Sequence, residues 1–145
     1  MVLSADGREL PRVSLSLWLG QGRFEPDEVT ARVGITPTIA VRVGDPNPVG
    51  VPRRHARWGL RIGPTAELHA EPLFAELYRL LLPSWGLLSA AVREVDLAPR
   101  IACVVELRSS VAPSLKVPPT DMNWIVELGA ELDIDIALTG PSVGE

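Results

Sequence analysis

The sequence predicts an α+β fold: a ferredoxin-like β-α-β-β-α-α-β core extended by a C-terminal α-β unit, with helices on one face of a mixed five-stranded sheet. Three observations predict it. Five segments alternate apolar and polar residues with the period of a half-buried strand. Four others repeat apolar residues at helical spacing, and glycine and proline punctuate the boundaries. The short loop between the second and third strands favours their pairing, while the helical crossovers favour parallel relations elsewhere. At 145 residues, 46% of them hydrophobic, the chain fits one domain over 1–145, with a core of roughly 13–139 and frayed N- and C-terminal tails.

Val13, Leu15, Leu17 and Leu19 alternate with Ser14, Ser16 and Trp18, which defines the first strand. Phe24-Glu25-Pro26-Asp27-Glu28-Val29 reads as a helix start. Pro26 suits the first helical position, and Asp27 and Glu28 place negative charge at the positive end of the helix dipole. With Glu25 as the cap, Phe24 and Val29 occupy staple positions, and Gly34 ends the helix. After Thr36-Pro37, the residues Ile39, Val41 and Val43 form an alternating strand whose apolar side faces the core, leaving Arg42 on the other. Three prolines and a glycine between Pro46 and His55 mark an irregular loop. A third strand carries Trp58, Leu60 and Ile62 opposite Arg57 and Arg61.

Beyond Gly63-Pro64 the period becomes helical through Leu73, Phe74, Leu77, Leu80 and Leu81, ending at Pro83. Ser84 is placed to cap the next helix, and a strand through Ile101, Cys103, Val105 and Leu107 follows. Thr120 is placed to cap a helix bearing Trp124, Ile125 and Leu128 that stops at Gly129. The last strand alternates Leu132, Ile134, Ile136 and Leu138 with Asp133 and Asp135.

A net charge of −4 argues against nucleic acid as a partner, which would need clustered excess basic charge. The single Cys103 supports neither an internal disulfide nor a thiolate metal site. Neither a signal peptide in Met1–Arg12 nor a membrane span is found, so a cytoplasmic protein without membrane contact is expected. No catalytic set, metal site or cofactor is expected. Asp133 and Asp135 stand about 7 Å apart on one side of a strand, but nothing in the pattern separates their pKa values for acid/base work.

One sheet face should therefore be uncovered, showing Ser14, Ser16, Trp18, Arg42, Arg57, Arg61, Val104, Glu106, Arg108, Asp133 and Asp135. Arginine and tryptophan are enriched at contact sites, although a solvated face with weak ion pairs has the same composition. Asp45, Arg53, Arg54 and His55 form a loop suited to an anion. Trp58 and Trp124 read as core, and Trp18 as the exposed aromatic.

Phe24-Glu25-Pro26-Asp27-Glu28-Val29-Thr30, Gly34-Ile35-Thr36-Pro37-Thr38, Gly44-Asp45, Trp58, Leu128-Gly129-Ala130 and Leu132 to Ile136, in this order, resemble the bacterial domain-of-unknown-function family 4279. The resemblance covers roughly residues 13–139 and implies no activity. Analogy with small bacterial single-domain proteins suggests a toxin-neutralising immunity protein. The leading expectation is thus a non-enzymatic domain that binds a protein partner, an immunity-type inhibitor using the open face and the 45–55 loop. One alternative is a small-molecule or enzymatic pocket near Asp45, Arg53, Arg54 and Trp58. The other is a structural subunit that pairs with its own copy, the oligomeric state being open.

Overall fold

The computed structural model describes residues 2–138; the predicted fraying after Gly140 lies outside the described residues. The elements run β1 (Arg12–Gly22), α1 (Pro26–Val33), β2 (Ile39–Val41), β3 (Ala56–Ala66), α2 (Glu71–Leu81), α3 (Trp85–Val95), β4 (Pro99–Leu107), α4 (Pro119–Leu128) and β5 (Glu131–Leu138). A 3-10 turn, Leu82–Ser84, joins α2 to α3. The sheet order is β2-β3-β1-β4-β5. All neighbours are antiparallel except β4 and β5, which are parallel and joined through α4. The first four strands reproduce the ferredoxin-like order, and α4-β5 adds one strand at its edge.

Alternation fixes the layers. Val13, Leu15, Leu17 and Leu19 of β1 are all fully buried, as are Trp58 of β3 and Ile101 and Val105 of β4. Register puts these residues on one side of the sheet, where they join Val29, Val33, Phe74, Leu77, Leu88, Trp124 and Leu128 from the helices in one core. The indole of Trp58 donates Nε1–H to Thr30 Oγ1 at 3.0 Å, which satisfies its buried polar atom and ties β3 to α1. In the same way Trp124 donates to Asp121 Oδ1 at 2.9 Å. Tyr78 stacks on Trp124, and Trp85 meets both rings edge-on.

The caps differ in detail. Gly34 and Gly129 end α1 and α4 in the left-handed conformation, as their positions predict. Glu25 and Ser84 hold the N-cap positions of α1 and α3 without a side-chain cap bond. Thr120 is not a cap, because Pro118 takes that position and Pro119 opens α4. β3 also runs three residues past Gly63. One extra residue there opposes β1, and Gly63 at φ 84 forms the bulge, its missing side chain leaving room for the Val13 carbonyl. Pro64 is tolerated because β2 pairs only with Ala56-end residues 57–59, so this half of β3 is a sheet edge.

One strand departs from the expected facing, and another keeps it with less cover than expected. In β2, Ala40 pairs with Trp58, while Ile39 and Val41 pair with Gly59 and Arg57. Its apolar residues therefore share the open side. The parity is set by Trp58, which must face the helices, and the small Ala40 accompanies it. In β5, Leu132, Ile134, Ile136 and Leu138 do share the helical side with Ile101 to Leu107. Their exposure nevertheless climbs from 36% to 85% along the strand, since α4 covers only its start.

Candidate functional site

The open face is built by the opposite parity: Ser14, Ser16, Trp18 and Gly20 of β1, with Arg57, Gly59 and Arg61 of β3 and Arg100, Ala102, Val104 and Glu106 of β4. Ser14, Ser16 and Ala102 are buried although no helix covers them among the described residues. β1 is the central strand, so its short side chains lie in the shadow of longer neighbours on both sides. Trp18 is half-buried and Arg61 is exposed.

Trp18 is placed by a glycine. Gly59 is its direct partner across β1 and β3, and a Cβ added there would collide with the benzo ring of Trp18. A missing side chain thus makes the seat for a large one. Arg57, two residues earlier on the same face, lays its guanidinium over the indole with Cζ 4.2 Å from the ring centroid. Beside this pair a cleft of about 510 Å³ opens between the ends of β1, β3, β4 and β5, bounded by Trp18, Gly20, His55, Arg57, Pro99, Arg100, Gly129 and Glu131.

The cleft has a positive wall. Burial first, then the neighbouring charges of Arg100 and Arg53, push the Arg57 pKa down from the usual arginine range. It stays a cation, since an arginine pKa leaves ample room for such a shift. Arg100 donates Nη1–H to Asp133 Oδ2 at 3.3 Å and sits opposite Glu131 in the sheet. Arg57 makes no ion pair with a carboxylate among the described residues.

The candidate residues separate into three places. Trp18, His55 and Arg57 meet at the cleft, with Arg53 close enough to be felt electrostatically. Arg61 and Asp135 lie exposed on the open face, and Asp133 is committed to Arg100. Arg42 does not belong to that face: it lies beyond β2 and its guanidinium pairs with Asp27 and Glu25 at the start of α1. Those contacts, the hydrogen bond to Asp27 above all, raise its pKa.

Asp45 is a turn residue whose Oδ2 accepts the Arg42 amide at 2.8 Å. The segment expected to be irregular is closed by backbone bonds from Gly44 to Arg53 and from Arg53 back to Asp45, each 2.8 Å, with Asn47 Oδ1 accepting two amides at its tip. Arg54 is exposed. Trp58 is fully buried.

Sequence reasoning missed Gly59, Arg100 and Pro99. Arg100 was within reach, because it shares the parity of Val104 and Glu106 in a strand that begins at Pro99, two residues before its apolar run. Gly59 has no signal in sequence beyond its place between Trp58 and Leu60. Cys103 lies on the covered side, and burial raises its thiol pKa. Among the described residues, no group of three or more His, Cys, Asp or Glu side chains is arranged to hold a metal ion.

A ferredoxin-like α+β domain with one open sheet face and a cationic, tryptophan-walled cleft at its end is the class these features define. The model of the domain of unknown function family DUF4279 matches residues 11–139, and the chain belongs to that family. No curated protein and no solved structure matches it. Among the described residues, no helix is long and apolar enough to cross a membrane.

Proposed function

We propose that this chain is a non-enzymatic protein-binding domain of the cytosol that docks a partner on its open sheet face. What carries the reading is Trp18, seated over Gly59 under the Arg57 guanidinium and half-buried on a face that no helix covers among the described residues. Tryptophan and arginine in a partly desolvated setting are the residue types that anchor interfaces, and Arg61, Ile39 and Val104 extend the surface around them. The arginines favour an acidic segment of the partner. An immunity-type inhibitor of a bacterial toxin is the specific form carried forward, in keeping with a small acidic chain of net charge −4.

The test is capture by the immobilised chain from bacterial extract, repeated with Trp18→Ala and Arg61→Glu. A protein retained by the native chain and lost with both variants, and whose toxicity in growing cells the native chain relieves, supports the proposal. Identical capture by native chain and variants removes the sheet face from consideration. A protein captured at this face without any toxicity to relieve keeps the binding function and discards the immunity form.

Self-association has one observation in its favour, the edge strand β5, which pairs only with β4 among the described residues. An antiparallel pairing of two β5 strands centred on Ile134 would set Asp133 of each copy opposite Asp135 of the other, and like charges directly opposite are destabilising. Light scattering over a concentration series is expected to show a constant monomer mass.

A further inference from the structure

We propose that the cleft beside Trp18 is a binding site for a small organic oxyanion, a carboxylate or phosphate ester carried on a flat apolar body. This goes beyond protein docking and does not depend on it. The first observation concerns the arginines. Four are half-buried: Arg53, Arg57, Arg100 and Arg108. Arg100 and Arg108 hold Asp133 and Glu106, whereas Arg57 on the cleft wall and Arg53, near enough for its charge to act on Arg57, hold no carboxylate among the described residues. Confining positive charges together in a partly desolvated place costs free energy that an arriving anion would return.

Orientation is the second observation. Arg57 is held over Trp18 with Cζ 4.2 Å from the ring centroid, and a guanidinium confined by such a contact has less freedom to lose when its fork of donors meets an oxyanion. His55 and Arg100 stand on the same rim. Glu131 is the one carboxylate lining the cleft, and it lies opposite Arg100 in the sheet, on the side away from Arg57.

Shape is the third. A cleft of about 510 Å³ falls within the size range of small-molecule sites. Trp18 and Pro99 supply apolar walls, and Gly20 and Gly129 send no side chain into the space. A bare inorganic ion would leave these walls unused, which is why the ligand class includes a flat body. The sequence-based expectation put a pocket near Asp45, Arg53, Arg54 and Trp58; the cleft opens beside that stretch, where His55 leads into β3, and its wall takes His55 and Arg57 but none of those four.

The experiment titrates the purified chain calorimetrically with benzoate, phenyl phosphate, inorganic phosphate and benzamide. At least one aryl anion is expected to bind roughly tenfold tighter than benzamide and than inorganic phosphate, with affinity falling as salt rises. Whichever aryl anion binds tighter identifies the oxyanion source. Arg57→Gln is expected to lose about tenfold in affinity, and Arg54→Gln, outside the cleft, to lose none. Should Arg57→Gln fail to fold, Arg53→Gln decides, with a loss of roughly threefold expected from its charge alone.

Equal binding of benzamide, equal binding of inorganic phosphate, no heat from either aryl anion at millimolar concentration, or unchanged affinity in the deciding variant would each overturn the proposal. Because no partner protein is present, none of these results bears on the docking function.

Discussion

The two ends of the open sheet face carry similar numbers of arginines and use them differently. At the end where β1 and β3 finish pairing near Arg12 and Ala66, Arg108 donates to Glu106 at 3.0 Å, although its Nε finds no partner. Arg8 pairs with Asp6 at 2.6 Å and reaches Ser110 at 2.8 Å, and Arg12 lies opposite Glu106. The smaller cleft there, about 350 Å³, is lined by Val2, Glu9, Leu10, Arg12, Ala66 and Arg108, without an aromatic. At the Trp18 end, Arg57 has a ring instead of a carboxylate. A charge already matched by its own chain is part of the structure. A half-buried charge left unmatched beside an aromatic wall is available to something else.

The scaffold common to both ends should yield the largest effect. Trp58→Ala removes a fully buried indole and its bond to Thr30, and is expected to cost about 3–5 kcal/mol in denaturant unfolding. Gly59→Val would break the comparison at one end only. The new side chain enters the space of the Trp18 ring, so a loss of roughly 1–3 kcal/mol is expected. A changed Trp fluorescence spectrum should accompany it, with the Arg12–Arg108 end unaltered in amide exchange.

The arginines themselves sharpen the contrast. Arg108→Gln strips a partly buried carboxylate of its partner and should cost about 1 kcal/mol. Arg57→Gln loses a cation–π contact but relieves repulsion from Arg53 and Arg100, so stability is expected to stay within about 0.5 kcal/mol of native. Equal losses at the two positions would erase the distinction.

The smallest effect belongs to pH. Bonds from Arg8 and then Ser4 hold the Asp6 carboxyl at about 2, below its ordinary range. A depressed carboxylate stabilises the fold above its unfolded pKa, and that contribution is lost as pH falls through about 2. The turn closed by Ser4, Arg8 and Leu10 amides should therefore keep its exchange protection between pH 7 and 5 and lose it near pH 2.

Much of the fold was legible because period and punctuation agree with the tertiary outcome. β1, β3 and β4 alternate cleanly since one side of each is sealed by helices, and Gly34 and Gly129 end helices where a left-handed residue is needed. β2 was misread in phase because three residues carry too little periodicity to outweigh a neighbour such as Trp58, whose burial dictates the register. β5 was read in the right phase, but alternation cannot tell whether a helix reaches far enough to cover Ile136 and Leu138.

The site was legible in part. Trp18, Arg57 and His55 were all indicated by side and by loop. Their convergence depends on Gly59, whose contribution is the absence of atoms. Arg42 and Asp45 looked like members of the same surface, and only the turn that carries them back toward α1 assigns Arg42 to ion pairs with Glu25 and Asp27 and Asp45 to holding the Arg42 amide.

The most direct measurement follows the indole Nε1–H signals of the four tryptophans by NMR as benzoate and, in a second sample, phenyl phosphate are added, the tighter binder of the two being decisive. The account predicts that the Trp18 signal moves together with the Arg57 Nε–H, while those of Trp58 and Trp124, buried and bonded to Thr30 and Asp121, stay where they are. A Trp18 signal that does not move, or shifts centred on Arg12 and Arg108 instead, would contradict it.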